Sequence, residues 1–161
     1  MSSPARPKES VWDYPRPPRI EPLDRRVRVE HGGKLVAESD RALRVLETAS
    51  PPTVYIPAED VRTELLTEVP TKHTFCEWKG QASYYDLAVG DARSEAAGWY
   101  YAEPREAFAE LRDHIAFYAG RVDAAYLGDE RVRPQGGSFY GGWVTDEIEG
   151  PFKGEPGTEG W

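Results

Sequence analysis

The chain predicts a mainly β domain of the α+β kind: a curled antiparallel sheet, or a small barrel or tent-like sheet, with one main helix and irregular arms at both ends. Three observations carry that prediction. Short runs rich in β-branched and aromatic residues alternate in polarity along residues 25–131, glycine turns punctuate them, and a single stretch has apolar residues at helical spacing. Fourteen prolines and 15 glycines in 161 residues favour turns and short strands over long helices.

The first 24 residues form a proline-rich arm. Six prolines between Pro4 and Pro22 remove amide donors and bias their neighbours toward extended backbone. Trp12, Tyr14 and Ile20 give this arm rings and apolar surface that could lie across the domain.

From Arg25 the pattern changes. In "RRVRVEHGGKLVAES" Val27 and Val29 share one face, and Gly32-Gly33 separates them from Leu35, Val36 and Ala37, which predicts a hairpin. "RALRVLET" alternates through Leu43 and Val45 and is assigned to a strand, although Leu43 and Leu46 would also suit a helix. "PPTVYIPAEDV" reads as a turn, a strand over Thr53–Ile56 and one helical turn. "TFCEW", "QASYYDLAV" and "GWYYA" predict a meander, divided at Lys79-Gly80 and by the polar "GDARSEA".

"EPREAFAELRDHI" predicts the helix, with Pro104 in its first turn and Phe108 and Leu111 at i, i+3. "IAFY" and "VDAAYLG" follow as an expected final hairpin around Ala119-Gly120. Residues 132–161 hold eight glycines yet also two Phe, one Tyr and two Trp, an aromatic load that predicts an arm packed on the domain. The expected total is roughly seven to nine short strands in one domain.

Charge and cysteine usage narrow the function classes. A net charge of −8 repels phosphate backbones and anionic membranes, so neither nucleic acid nor a membrane surface is an expected partner. One cysteine and three scattered histidines supply no metal-ligand spacing, and no metal is expected. With no apolar run of membrane-spanning length, the expected location is cytoplasmic.

Phosphate-loop, dinucleotide-binding and nucleophile-elbow patterns are all missing, so the candidate chemistry rests on individual side chains. Cys76 is a candidate nucleophile, provided that a cation such as Lys79 or His73 lowers a thiol pKa that is ordinarily roughly 8.5. Strict alternation puts Cys76 with Thr74 and Trp78, and Lys79 on the opposite face with His73, Phe75 and Glu77. Lys79 stands beside the Gly80 turn, from which its ammonium could reach either face and hold an anion. Glu47 and Asp60 are a candidate acid-base pair, although Asp60 also suits the start of a helical turn. Tyr55, Thr74, Trp78, Tyr84, Trp99 and Tyr101 are the candidate ligand-binding residues, because the chain carries more rings than its core requires.

Three elements in fixed order carry a family resemblance: Tyr55, Pro57, Asp60 and Val61; then Thr74, Cys76, Lys79 and Gly80; then Trp99, Tyr101 and Pro104. Over about Arg25 to Gly128 the chain resembles the family known as domain of unknown function 427, and one departure is Glu77, where that family often has proline. The resemblance implies a compact curled β domain. The family also carries a nucleotidyltransferase-like label, but a Gly-Ser pair followed by spaced aspartates is not found here. Two function classes follow: a small-molecule-binding domain or small enzyme that takes an anionic metabolite, or a non-catalytic interaction module that uses the two arms.

Overall fold

The computed structural model describes residues 7–136 and 141–153. Ten strands of four or more residues organise it: β1 (Arg19–Pro22), β2 (Val27–His31), β3 (Lys34–Ser39), β4 (Leu43–Glu47), β5 (Ser50–Pro57), β6 (Leu66–Cys76), β7 (Gly80–Val89), β8 (Ala92–Tyr100), β9 (His114–Phe117) and β10 (Ala124–Leu127). Seven form one sheet in the order β1-β4-β5-β9-β8-β7-β6, every pairing antiparallel. A second sheet runs from the two-residue strand Glu130–Arg131 through β10 and β2 to β3. The fold is therefore strand-rich, and its sheets stay open instead of closing into a barrel.

Alternation along the strands sends side chains to two different interiors. On β5, Val54 and Ile56 join a largely aliphatic core with Val27, Val29 and Val36 of the smaller sheet, while Tyr55 between them points to the other face. Strand β9 repeats the division, with Ile115 and Phe117 in the aliphatic core and Ala116 on the aromatic side. Strand β7 changes sides partway. Ala82 and Tyr84 belong to the aromatic cluster, but Leu87 and Val89 belong to the aliphatic one. The irregularity in the β7–β8 register between Tyr85 and Leu87 shifts the pleat by one residue. Asp86 Oδ1 accepts a 2.7 Å hydrogen bond from the Ala96 amide across this bulge, and Ala96 takes a φ of 48°.

The described parts of both arms lie on the sheets. Strand β1 pairs with β4 and covers one edge of the seven-stranded sheet. Val11 and Tyr14 bury against Leu46 and Ile148 in a third cluster, and Glu9–Ser10 pairs in parallel with Ile148–Glu149. Trp143 is fully buried, and its indole donates to the Phe117 carbonyl at 2.8 Å. Phe139, Tyr140 and Trp161, which contribute to the predicted aromatic load, lie outside the described residues.

Three expectations are corrected in detail. The main helix is a 3-10 segment over Glu106–Leu111, broken at Phe108 (φ −121°, ψ 22°), rather than a longer α-helix. The "GDARSEA" segment is not a polar connection, because β8 already begins at Ala92 and only Gly90 and Asp91 turn. The "IAFY" and "VDAAYLG" runs do not pair with each other: β9 lies between β5 and β8, whereas β10 pairs with β2 in the other sheet. A 3-10 turn over Ala119–Arg121 carries the chain from one sheet to the other.

Candidate functional site

A cavity of about 450 Å³ opens on the aromatic face of the large sheet. Nine of the ten predicted site residues line it: Glu47, Tyr55, Thr74, Cys76, Trp78, Lys79, Tyr84, Trp99 and Tyr101. They come from the end of β4, the middle of β5, the β6–β7 hairpin, the end of β8 and, with Tyr101, the residue that follows it. The seven-stranded order brings these elements together although they span residues 47–101 of the chain.

Lys79 is the central cation. Strict alternation would aim it away from Cys76, but β6 ends at Cys76, and Cys76 pairs directly with Gly80. Glu77, Trp78 and Lys79 thus form a three-residue hairpin loop released from the pleat. The loop is tied down where the Arg105 amide donates to the Lys79 carbonyl at 2.9 Å. Gly80 has a φ of +109°, a conformation that a residue with a Cβ rarely adopts, so the tight return into β7 selects glycine. The result is a lysine only 8 % exposed, with its Nζ 3.9 Å from Glu47 Oε1.

The surroundings keep this ammonium charged. Burial opposes the charge, but the Tyr55, Cys76 and Glu47 side chains around Lys79 outweigh that penalty and hold its pKa above the ordinary lysine value. The other oxygen of Glu47 lies 3.9 Å from Arg16 Nη2, which reaches in from the proline-rich arm. Cys76 is a free, half-buried thiol lining the same cavity.

The aromatic wall is interlocked. Tyr55 and Trp99 meet edge to face at 6.1 Å, and Trp99 Nε1 donates to the Tyr55 hydroxyl at 3.4 Å. Tyr101 lies 6.3 Å from Tyr55, and Tyr118 packs on Trp99 at 4.6 Å. Thr74 and Tyr84 share a 2.7 Å hydrogen bond between their hydroxyls. Burial raises the phenol pKa values of Tyr55, Tyr101 and Tyr118, so these rings present neutral hydroxyls. Gly141 lies so close to the Trp99 ring that an added Cβ would stand 2.2 Å from Cη2.

Asp60 does not join the group. It sits in the 3-10 turn Ala58–Asp60 beyond β5, where the Ser39 hydroxyl donates to Oδ2 at 2.6 Å and Arg41 donates to Oδ1 at 3.0 Å. These hydrogen bonds hold its carboxyl below the ordinary range. The neighbouring Val61 belongs to the aliphatic core, on the far side of the sheet from Lys79. Glu47 and Asp60 are therefore not a carboxylate pair. His73 is exposed, with its ring nitrogens against the Pro70 carbonyl and the Ser83 hydroxyl.

Further lining residues escaped the sequence reading, among them Thr53, Tyr118, Gln135, Gly141 and Lys153. Tyr118 had a usable signal, since alternation from Ile115 and Phe117 puts Ala116 and Tyr118 together on the opposite face. Gln135, Gly141 and Lys153 come from irregular backbone with no such periodicity.

A β-rich domain with an aromatic cavity around a buried lysine is the class defined by fold and site. Residues 19–128 match the sequence model of the family described as "Domain of unknown function (DUF427)", and the chain belongs to that family. No curated protein matches the chain. Among the described residues no helix is long and apolar enough to cross a membrane, and no three His, Cys, Asp or Glu side chains are grouped to hold a metal ion.

Proposed function

We propose that this chain binds a small molecule through an anionic group seated on Lys79, with the aromatic wall holding the rest of the ligand. The observation that carries the reading is the burial of the Lys79 ammonium in an open cavity, with one carboxylate among the described residues, Glu47 at 3.9 Å, as its ion-pair partner. The neighbours keep Lys79 charged, but a carboxylate at 3.9 Å lies beyond hydrogen-bond distance and leaves the ammonium with donors to spare. An arriving carboxylate or phosphate would complete the site. The surrounding hydroxyls of Tyr55, Thr74, Tyr84 and Tyr101 offer further hydrogen bonds, and Cys76 places a nucleophile candidate in the same space.

The alternative use of the arms as partner-binding surfaces is less well supported. Val11, Tyr14 and Ile148 are already buried within the chain, and β1 is committed to β4.

A thermal-shift screen of small carboxylates and phosphates on the full chain tests the proposal. A ligand present at about 100 times its Kd stabilises by about 2.7 kcal/mol. At least one anion is expected to raise the melting temperature of the unaltered chain and to lose that effect in Lys79→Ala. An anion that protects Lys79→Ala equally well removes this lysine from the site, and a screen without hits favours the interaction module.

A further inference from the structure

The charges around the cavity say more about the ligand than that it carries an anion. Four charged residues line it among those described: Lys79 and Glu47, both largely shielded, the exposed Glu77, and Lys153. Two cations and two anions leave the lining balanced. A phosphate dianion would bring two further negative charges beside two carboxylates, with no arginine among the described lining residues to receive it as a fork. A ligand carrying one positive and one negative group preserves the balance.

The spacing points the same way. At 3.9 Å, Lys79 Nζ and Glu47 Oε1 are close enough to attract but beyond the usual hydrogen-bond distance of about 2.7–3.2 Å. Each group therefore retains bonding capacity within the cavity. Among the described residues the other ion pair of Glu47 is with the side chain of Arg16, at the same 3.9 Å and 46 % exposed, an arrangement that contributes little in water. A carboxylate on Lys79 and an amino group on Glu47 would make a ring of four alternating charges. Tyr55, Trp99 and Tyr101 then form an apolar wall beside it, and about 450 Å³ falls within the range of small-molecule sites.

Resting on the binding function proposed above, we infer that the ligand is a zwitterion, an α-amino acid with an aromatic side chain or a close relative, whose carboxylate meets Lys79 and whose amino group meets Glu47. Lys79 selects the acid, Glu47 selects the amine, and the rings receive the side chain. The surroundings of Lys79 hold its pKa above the ordinary lysine value, so the group that meets the carboxylate is a cation near neutral pH.

Calorimetry on the full chain with four probes tests this: L-phenylalanine, 3-phenylpropionate without the amine, 2-phenylethylamine without the carboxylate, and phenyl phosphate. Phenylalanine is expected to bind about tenfold more tightly than any of the other three. Glu47→Gln is then expected to reduce phenylalanine to the affinity of phenylpropionate, and Lys79→Met to that of phenylethylamine. The ranking on the unaltered chain does not depend on either variant folding. Phenylpropionate or phenyl phosphate binding as tightly as phenylalanine overturns the two-charge inference while leaving an anion on Lys79 intact. Binding by none of the four also overturns it, and the broader anion screen then decides the parent proposal separately.

Discussion

The two faces of the seven-stranded sheet are built from the same strands by opposite means. The face turned to the smaller sheet packs Val54, Ile56, Leu87 and Ile115 against Val27, Val29 and Val36 of that sheet, with Phe117 and Trp143 as its buried rings and no buried tyrosine among the described residues. The other face buries Tyr55, Tyr84, Tyr101 and Tyr118 around Trp99. Aliphatic side chains carry no group that needs a partner, so they can close completely. Tyrosines bring hydroxyls inward that must be satisfied, and here they surround a cavity containing a lysine. One face is a scaffold, and the other is a surface held open.

The largest expected effect falls on the scaffold. Leu87→Ala removes a fully buried side chain from the aliphatic core and is expected to cost about 2–5 kcal/mol in chemical denaturation. Any anion found to bind should still bind to the folded fraction. A loss of binding from this substitution alone would break the division between the faces.

Gly141→Ala is expected to cost about 1–3 kcal/mol, because the new methyl would displace the Trp99 ring. Its distinguishing sign is a changed indole fluorescence together with weakened ligand binding. An unchanged spectrum would mean that Trp99 is less constrained than its packing indicates.

Removing residues 1–18 takes Val11 and Tyr14 from the third cluster and Arg16 from Glu47, with an expected loss of about 1–3 kcal/mol in thermal unfolding. A truncated chain as stable as the full one would show that the arm only rests on the domain.

Lys79→Met is expected to cost no more than about 1 kcal/mol, since the Glu47 carboxylate it leaves behind is partly exposed and keeps Arg16 at 3.9 Å, so the loss falls in the range of partly exposed ion pairs. Its effect should appear in binding. The folded pKa of Lys79 is raised, so stabilisation from its charge is fully present below the unfolded value of about 10.4 and is lost as pH rises through the higher folded value. Anion affinity that depends on Lys79 should accordingly be level from about pH 7 to pH 9 and fall above about pH 10.4. A midpoint near neutrality would assign the binding to another group.

Much of this division was legible in the sequence because it follows from alternation. Val54, Tyr55 and Ile56 announce opposite faces in three consecutive residues, and Thr74 and Cys76 lie two apart on the same strand. The 3-10 segment was misread because Phe108 and Leu111 at i, i+3 satisfy a three-residue turn as well as an α-helical one. The partners of His114–Phe117 were hidden for another reason. A four-residue strand carries no record of which distant strands it will join, and local sequence favoured a hairpin with its neighbour.

At the site, period-two reasoning stops where the strand stops. Lys79 lies in a loop, so its direction is set by the Cys76–Gly80 pairing and the Arg105 amide, neither of which has a periodic signature. Asp60 was grouped with Glu47 by residue type alone. The turn after β5 carries it to Ser39 and Arg41 instead.

The central claim, that the aromatic face holds a cation available to an incoming anion, can be tested before any natural ligand is known. Cys76 lines the cavity with Lys79 and is the only thiol in the chain. Its alkylation rates with anionic iodoacetate and neutral iodoacetamide should therefore report the local charge. An attraction of about 1 kcal/mol corresponds to a factor of about five. The iodoacetate-to-iodoacetamide rate ratio at Cys76 is expected to exceed that of a small free thiol by about this factor, and to fall to the free-thiol value in Lys79→Met. A ratio equal to that of the free thiol, or one unchanged by Lys79→Met, would contradict the account.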